Sequence, residues 1–308
     1  MSAGLWRVNE RDTLNTEVVE FVSDLRKLVP QKFRPTLRSA WNGLNHRYQT
    51  KKLFGRDAEY IPPLHLMHDG PRTYREFKEN GDEFLRHYVE LCGLQPDEDM
   101  LDLGCGIGRK TLPLTRYMSE RGSYLGMDIV KSGVEWCAEK YTREYPNFKF
   151  QLLDVCNELY NPEGRFKAAE YKLPSADEQF DFVVLNSIFT HMLHEDVENY
   201  LGEIARVLRI GGRCLISFFL LNEESLGLID EGKSTIDLRY EFGPARAMSK
   251  QQPELAIGYD EEYVDRLFKR CGLEIRQPIA YGSWCGRNDF YTYQDQIVAL
   301  KTGARIYR

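Results

Sequence analysis

From about residue 100 onward, short apolar runs alternate with longer segments whose apolar residues recur every three to four positions. The short runs are typical of buried β-strands, and the longer segments are typical of helices packed on one face. The sequence predicts seven strands, at DMLDLG, SYLGMD, FKFQLLD, FDFVVLN, RCLISFFLL, 273–279 and 296–301. The predicted helices cover 108–121, 131–145, 194–208 and 259–271.

This alternation also predicts the fold class. Strand–helix–strand units pair their strands in parallel, and repeated units place helices on both faces of one sheet. We therefore expect an α/β fold over residues 81–308, with a Rossmann-like, doubly wound, mostly parallel sheet of seven strands. Within it, we expect an insertion after the fifth strand at 222–258 and an aromatic loop at 281–295.

Residues 1–80 differ from the rest of the chain, because their apolar positions show little periodicity and some segments, such as RKLVPQKFRPTLR, are basic. We expect an N-terminal helical extension that packs as a lid over the ligand edge of the sheet. A partly mobile appendage is the alternative.

Three aspartates stand at the ends of the first three predicted strands. Asp102, Asp128 and Asp154 follow one another at intervals of 26 residues. In an open α/β sheet, ligands bind outside the carboxyl ends of the strands, so these side chains are expected at one edge. A single aspartate at such a place is often only a helix N-cap. Three of them beside the glycine-rich segment GCGIG (104–108) indicate a ligand site.

A dinucleotide is the first competing ligand. Its fingerprint is G-x-G-x-x-G, in which the third glycine allows close packing of helix on strand. Here Arg109 stands where that third glycine belongs, and the glycines follow the pattern G-x-G-x-G instead. The sequence therefore disfavours nicotinamide chemistry.

Composition narrows the classes of partner. The formal net charge is −6, so no basic surface for a nucleic-acid backbone is indicated. The longest apolar run, CLISFFLL, is far shorter than a membrane span. The seven cysteines include no C-x-x-C pair, so we expect reduced thiols and no metal site. We expect a cytoplasmic protein with neither a nucleic-acid nor a membrane partner.

Five motifs resemble those of the class I S-adenosylmethionine-dependent methyltransferases. LDLGCGIGR resembles the first motif of that family, YLGMDI its ribose-binding acid and LLDV its adenine-contacting acid. LPSADEQFDFVVLNSIFTHM is similar to its fourth-strand segment and EIARVLRIGGRCLIS to its fifth. The resemblance spans about 95–220 and implies a methyltransferase with S-adenosylmethionine as cofactor. The glycine-rich loop would then cradle the methionine part of that cofactor.

The resemblance also implies roles for the residues at the strand ends. Asp102 would lie near the ammonium of the cofactor, and Asp128 would accept both ribose hydroxyls. Asp154 and the amide of Val155 would meet the adenine edge, and Asn186 would line the methionine side through its backbone. The implied cofactor-binding set is Asp102, Gly104, Cys105, Gly106, Gly108, Asp128, Ile129, Asp154, Val155 and Asn186.

The predicted acceptor is a small molecule, with a hydroxyl of a sugar or specialised metabolite as the methylated group. His191, just past the fourth strand, is the candidate general base, and its alternative role is to fix the loop by hydrogen bonding. Tyr74, Trp284 and Arg287 are the candidate acceptor contacts. Aromatic side chains of the loop would stack on a ring and Arg287 would pair with an acidic group, unless the loop is only a stabilised hairpin edge.

The sequence leaves two other functions open. A protein that senses S-adenosylmethionine without turnover would use the same fold. A nucleic-acid methyltransferase is disfavoured by the acidic composition. A base-directed enzyme of this family would also be expected to carry Asn/Asp-Pro-Pro-aromatic after strand four, where this chain has NSIF.

Overall fold

A computed structural model of the chain describes residues 34–67 and 70–303. The chain divides into two compact units, Met1–Pro63 and Leu64–Arg308. In the first unit, the described residues form helix α1 (Arg34–Phe54) and a 3₁₀ helix at Gly55–Tyr60.

The second unit holds the remaining elements. Its strands are β1 (Asp99–Leu103), β2 (Ser123–Asp128), β3 (Phe148–Leu152), β4 (Phe180–Leu185), β5 (Leu208–Phe218), β6 (Leu220–Leu221), β7 (Tyr240–Phe242), β8 (Ala245–Ala247), β9 (Ile257–Asp260), β10 (Leu273–Ile275) and β11 (Asp295–Lys301). Its helices are α2 (Tyr74–Glu90), α3 (Thr111–Tyr117), α4 (Lys131–Lys140), α5 (His194–Val207), α6 (Glu223–Asp230) and α7 (Glu261–Arg270). Short 3₁₀ helices lie at Leu64–Leu66, Ala168–Glu170, Phe189–His191 and Pro253–Leu255.

Seven strands form the main sheet, in the order β10-β11-β5-β4-β1-β2-β3. Strands β1 to β5 pair in parallel, whereas β11 is antiparallel to both β5 and β10. The strand order reverses between β1 and β4, and such a reversal opens a crevice at the carboxyl ends of the two strands. The predicted Rossmann-like sheet of seven strands is confirmed, and this crevice is where a ligand is expected.

Alternating side chains of the central strands supply two apolar layers. Leu101 and Val183 belong to the core cluster on one face of the sheet, whereas Met100 and Phe182 belong to the cluster on the other. Because successive side chains of a strand point to opposite faces, a strand covered on both sides is apolar at every position. This explains why the sequence shows continuous apolar runs here.

The run RCLISFFLL, predicted as one strand, is divided in the structure. Strand β5 ends at Phe218, and the amide of Leu220 donates to Asp295 Oδ2 at 2.7 Å instead of continuing the ladder. The chain then enters a second sheet, in the order β6-β9-β8-β7, built largely from the predicted insertion. Its strands have two to four residues, which is too short for an alternating pattern to be visible in the sequence.

The predicted boundary between the N-terminal extension and the α/β fold, after residue 80, falls inside helix α2. This helix packs against α3. Thr73 caps it by accepting from the amide of Glu76 at 3.1 Å. A Cβ at Gly81 would lie 2.5 Å from the carbonyl oxygen of Arg109, so a glycine is needed for the helix to approach the glycine-rich loop this closely. A lid formed by residues 1–80 stays a prediction, and residues 1–33 and 68–69 lie outside the described ranges.

Candidate functional site

The loop between Gly104 and Gly108 leaves β1 and crosses the carboxyl edge of the sheet. Gly104, Gly106 and Gly108 have φ angles of 78°, 59° and 86°, a left-handed conformation that favours glycine. The amides of Gly104 and Cys105 donate to the carbonyl of Met127 at 2.8 and 3.1 Å. The glycines thus allow the chain to turn sharply while the loop stays fixed to β2.

Asp128, the last residue of β2, joins the loop to that strand. Its Oδ2 accepts from the amide of Gly106 at 2.8 Å, and its Oδ1 accepts from the amide of Val130, also at 2.8 Å. An ionised carboxylate offers about four lone-pair sites, so its two oxygens can accept further hydrogen bonds. The hydrogen bonds from the amides of Gly106 and Val130 orient the carboxylate.

A cavity of about 670 Å³, here the first cavity, opens beside this loop. Its walls come from the glycine-rich loop and from the segments that follow β2, β3 and β4. Six of the implied cofactor residues line it: Gly104, Gly106, Asp128, Ile129, Val155 and Asn186. Volumes of this size are usual for small-molecule and cofactor sites.

A second cavity, of about 280 Å³, lies between the glycine-rich loop, helix α2 and the start of β11. It adjoins the first, because the two share the lining residues Gly104, Gly106, Ile107, Asn186 and Ser187. Cys105 from the implied cofactor set lines this second cavity. A ligand that crosses the loop can therefore occupy both.

Asp102 is placed differently from the prediction. It is fully buried, lines neither cavity, and accepts from Lys110 Nζ at 2.6 Å and from the hydroxyl of Tyr124 at 2.8 Å. Burial and then the Asp102 charge raise the pKa of Tyr124, so the phenol stays protonated and donates. A direct contact between Asp102 and a cofactor ammonium is not supported, because Lys110 already neutralises the carboxylate. Lys110 itself lines the second cavity.

Asp154 and Gly108 line neither cavity. The Asp154 carboxylate accepts a hydrogen bond from the backbone amide of Arg165 at 2.9 Å and another from the guanidinium of the same residue. The hydrogen bond from the backbone amide is the main reason why the pKa of Asp154 is lowered. A Cβ at Gly108 would lie 2.8 Å from Tyr141 and 3.1 Å from Cys137. Gly108 therefore serves the packing of α4. Asp154 is paired with Arg165, and the adenine contact implied for it stays a prediction.

His191 lines the first cavity at the end of a 3₁₀ helix. Its Nδ1 lies 2.9 Å from the carbonyl oxygen of Glu254. A carbonyl can only accept, so Nδ1 carries the proton and the neutral ring keeps its lone pair on Nε2. The histidine is therefore held in the tautomer that a general base requires.

Besides Asp128, three carboxylates line the same cavity: Glu158, Asp196 and Glu254. Desolvation raises the pKa of Asp196, although the amides of Leu193 and Ala169 partly offset this by donating to it. Desolvation also raises the pKa of Glu254, and the charges of Asp196 and Glu158 raise it further. The raised pKa values make these carboxyls easier to protonate. Carboxyl residues nevertheless outnumber Lys167 in the lining, so the lining is acidic and favours neutral or cationic ligands.

The three predicted acceptor contacts, Tyr74, Trp284 and Arg287, line neither cavity. Trp284 is fully buried, and its indole N–H donates to Asp295 Oδ2 at 2.7 Å. The guanidinium of Arg287 donates to Asp295 Oδ1 at 2.9 Å and to Glu224 at 2.7 Å. This placement does not support the proposed contacts, because Trp284 and Arg287 stabilise a buried carboxylate and Tyr74 is itself buried.

Within 34–67 and 70–303, no three His, Cys, Asp or Glu side chains are grouped so that they could hold a metal ion. Over the same ranges, no helix combines the length and the apolar character needed to span a bilayer.

Part of the chain is similar in sequence to known methyltransferases. Residues 101–216 match the family model described as "Methyltransferase domain". An eEF1A lysine and N-terminal methyltransferase homolog of Drosophila pseudoobscura pseudoobscura is 30% identical over 50% of this chain and 23% of its own length. The tRNA N(3)-cytidine methyltransferase METTL2 of Gallus gallus is 22% identical over 68% of this chain and 52% of its own.

Among solved structures, a 1,6-didemethyltoxoflavin-N1-methyltransferase from Burkholderia thailandensis, with S-adenosylhomocysteine bound, aligns with a TM-score of 0.45. It is 16% identical, and the alignment covers 89% of this chain and 91% of that one. The chain spans about a quarter of the length of the Drosophila relative and about half of the length of the Gallus relative. Residues 101–216 of this chain are thus similar to a methyltransferase domain.

Proposed function

We propose that the chain transfers a methyl group from S-adenosylmethionine to a hydroxyl of a small molecule, a sugar or a specialised metabolite, in the cytoplasm. The observation that carries this proposal is His191, which lines the first cavity with its Nδ1 proton held by a backbone carbonyl. Seven cysteines, all free, support a reducing compartment.

The residues of the first cavity fit the adenosine part of this cofactor. Asp128 is oriented by two backbone amides and borders the cavity, so its carboxylate can accept the two ribose hydroxyls. Ile129, Leu153 and Val155 supply apolar surface for the adenine ring. The charged lining also suits a cofactor with a cationic sulfonium, because carboxylates predominate there.

His191 acts on the acceptor in this mechanism. The bound cofactor supplies a methyl group activated by the positive sulfur. His191 Nε2 accepts the proton of the acceptor hydroxyl as the oxygen becomes nucleophilic. The carbonyl of Glu254 holds the ring and stabilises the proton on Nδ1. The cavity walls orient the acceptor for in-line displacement, and orientation alone supplies a large part of the rate acceleration.

The acidic lining supports a small-molecule acceptor over a nucleic acid. Glu158, Asp196 and Glu254 would repel the phosphates of a polynucleotide chain, which bind best to basic surfaces. Leu159 and Tyr160 line the first cavity and are 48% and 42% exposed, so the cavity opens to solvent. An open cavity supports turnover over a sensor that only binds the cofactor.

The experiment is a transfer assay with methyl-labelled S-adenosylmethionine and the full chain. Fractions of small metabolites and total tRNA are offered separately. We expect label in a small-molecule fraction and none in tRNA. Label in tRNA alone would contradict the acceptor class, and tight cofactor binding without transfer to either would favour the sensor.

Alkylation of Cys156 offers an independent test of the first cavity. Cys156 is exposed and lines that cavity. Burial raises the pKa of Cys92 to about 12 and that of Cys271 to about 11, so these thiols react slowly near neutral pH. We expect iodoacetamide to label Cys156 first and saturating S-adenosylhomocysteine to slow the labelling. Peptide mapping with a Cys156→Ser control measures this, and a rate unaffected by the ligand would contradict the assignment.

A further inference from the structure

Ser187, two residues after strand β4, has an unusual backbone conformation. Its φ angle is 58°, in the left-handed region that residues with a Cβ rarely adopt. Within the described ranges, Glu178 is the other non-glycine residue with a positive φ. A conformation of this kind costs free energy, persists where its surroundings hold it, and is concentrated at functional sites. Ser187 is therefore a candidate for a role in the site.

Two hydrogen bonds hold Ser187 in this conformation. Its amide donates to the hydroxyl oxygen of Ser217 at 2.7 Å, and Ser217 lies fully buried on β5. The hydroxyl oxygen of Ser187 accepts from Nε2 of Gln294 at 3.0 Å. An amide nitrogen can only donate, so the hydroxyl proton of Ser187 remains to donate to a further oxygen.

This hydroxyl belongs to a residue that borders both cavities. Ser187 is exposed and lines the first cavity and the second. His191 lines the first cavity as well, and its amide donates to the carbonyl oxygen of Ile188 at 2.9 Å. One turn of the chain thus places a hydroxyl donor and the proposed base on the wall of the first cavity.

We infer that the Ser187 hydroxyl donates a hydrogen bond to the oxygen of the acceptor hydroxyl, while His191 accepts the proton of that same hydroxyl. The inference rests on the proposed function and adds a second group that contacts the acceptor. As the proton moves to His191 Nε2, negative charge develops on the acceptor oxygen, and a donor placed there stabilises this charge. The oxygen forms the bond to the methyl carbon, and the electron pair of the breaking carbon–sulfur bond stays on sulfur. Gln294 is a positioning residue, because it acts through the serine hydroxyl.

This arrangement selects a hydroxyl over an amine as the methylated group. A hydroxyl oxygen has two lone pairs, so one can accept from Ser187 while the other attacks the methyl group. A neutral amine has one lone pair, which the attack itself uses. Ser187 therefore also determines specificity for oxygen.

The experiment measures transfer from methyl-labelled S-adenosylmethionine to the small-metabolite fraction, with the full chain as wild type and as Ser187→Gly. Glycine adopts the left-handed conformation without steric cost, so this variant removes the hydroxyl and keeps the backbone. We expect the maximal rate to fall about 10- to 100-fold, as for the loss of a hydrogen bond to a charged group. The affinity for S-adenosylhomocysteine, measured by calorimetry, should stay that of the wild type, and the melting temperature should not fall.

Three further variants complete the test. Glu178→Gly is the matched control, because Glu178 has a φ angle of 53° and lines neither cavity, and it should leave the rate unchanged. Ser187→Asn restores a donor in a residue that tolerates the left-handed conformation, so it should be faster than the glycine variant. Gln294→Met alone should slow transfer, whereas adding it to Ser187→Gly should slow transfer no further.

A Ser187→Gly variant that transfers at the wild-type rate would overturn the inference. So would a variant whose affinity for S-adenosylhomocysteine or melting temperature falls together with its rate, because Ser187 would then serve the cofactor or the fold. A wild type that places no label in the small-metabolite fraction would instead overturn the proposed function, and the inference with it.

Discussion

Replacing His191 by alanine is expected to lower kcat by about 10²- to 10⁴-fold, the usual contribution of a general base. Affinity for S-adenosylhomocysteine should barely change, because the ring acts on the acceptor hydroxyl. Steady-state kinetics on the acceptor found in the transfer assay measure both effects.

A second variant separates the base from a loop-fixing role. In His191→Asn, the side-chain amide can still donate to the carbonyl of Glu254, but no basic nitrogen remains. We expect this variant to be as slow as the alanine variant and to melt like the wild type. His194→Ala is the matched control, because His194 is a nearby histidine that does not line the first cavity. Full turnover in His191→Asn would show that the histidine only fixes the loop and that orientation supplies the acceleration.

Lys110→Met is expected to destabilise the protein by about 3–5 kcal/mol, because removing one partner of a buried ion pair leaves the other charge uncompensated. The remaining charge is Asp102, which is fully buried and contacts Lys110 Nζ at 2.6 Å. Urea unfolding monitored by tryptophan fluorescence gives the change in free energy of unfolding.

Where Lys110→Met fails to fold, the double variant Asp102→Asn/Lys110→Met keeps the test decisive. It removes both charges and should recover much of the lost stability. Lys78→Met is the surface control, because its pair with Asp82 is exposed and should contribute less than about 1 kcal/mol. A single variant as stable as the wild type, or a double variant no better than the single one, would contradict the structural role of this pair.

The fold could be predicted because the central strands are covered on both faces. Residues such as Met100 and Leu101 are buried on opposite sides of the sheet, so their apolar character appears as an uninterrupted run. Helix ends were less predictable. The segment 131–145 was predicted as one helix, whereas α4 ends at Lys140 and residues 141–144 form turns.

The turn at the glycine-rich loop could be predicted because local chain geometry requires its residue type. The left-handed φ angles at Gly104 and Gly106 depend on the backbone alone. The partner of Asp102 could not be predicted in this way. Lys110 looks like an ordinary polar residue at the start of a helix, and only the folded chain brings its Nζ to Asp102 and Gly104.

The aromatic loop illustrates the same limit. Its aromatic and basic residues were equally compatible with a substrate platform and with internal packing. The deciding residue is Asp295 at the start of β11, whose carboxylate accepts from Trp284, Arg287 and two backbone amides. Nothing in the spacing of these residues distinguishes a buried carboxylate from an exposed one.

Calorimetric titration of S-adenosylhomocysteine into the wild type and Asp128→Ala tests the central claim most directly. We expect the wild type to bind this ligand and not NAD, whose fingerprint glycine is replaced by Arg109. Asp128→Ala should lose about 2–3 kcal/mol of binding free energy, because two ribose hydroxyls lose one charged acceptor. Unchanged affinity in a folded Asp128→Ala variant, or binding of NAD in place of S-adenosylhomocysteine, would contradict the account.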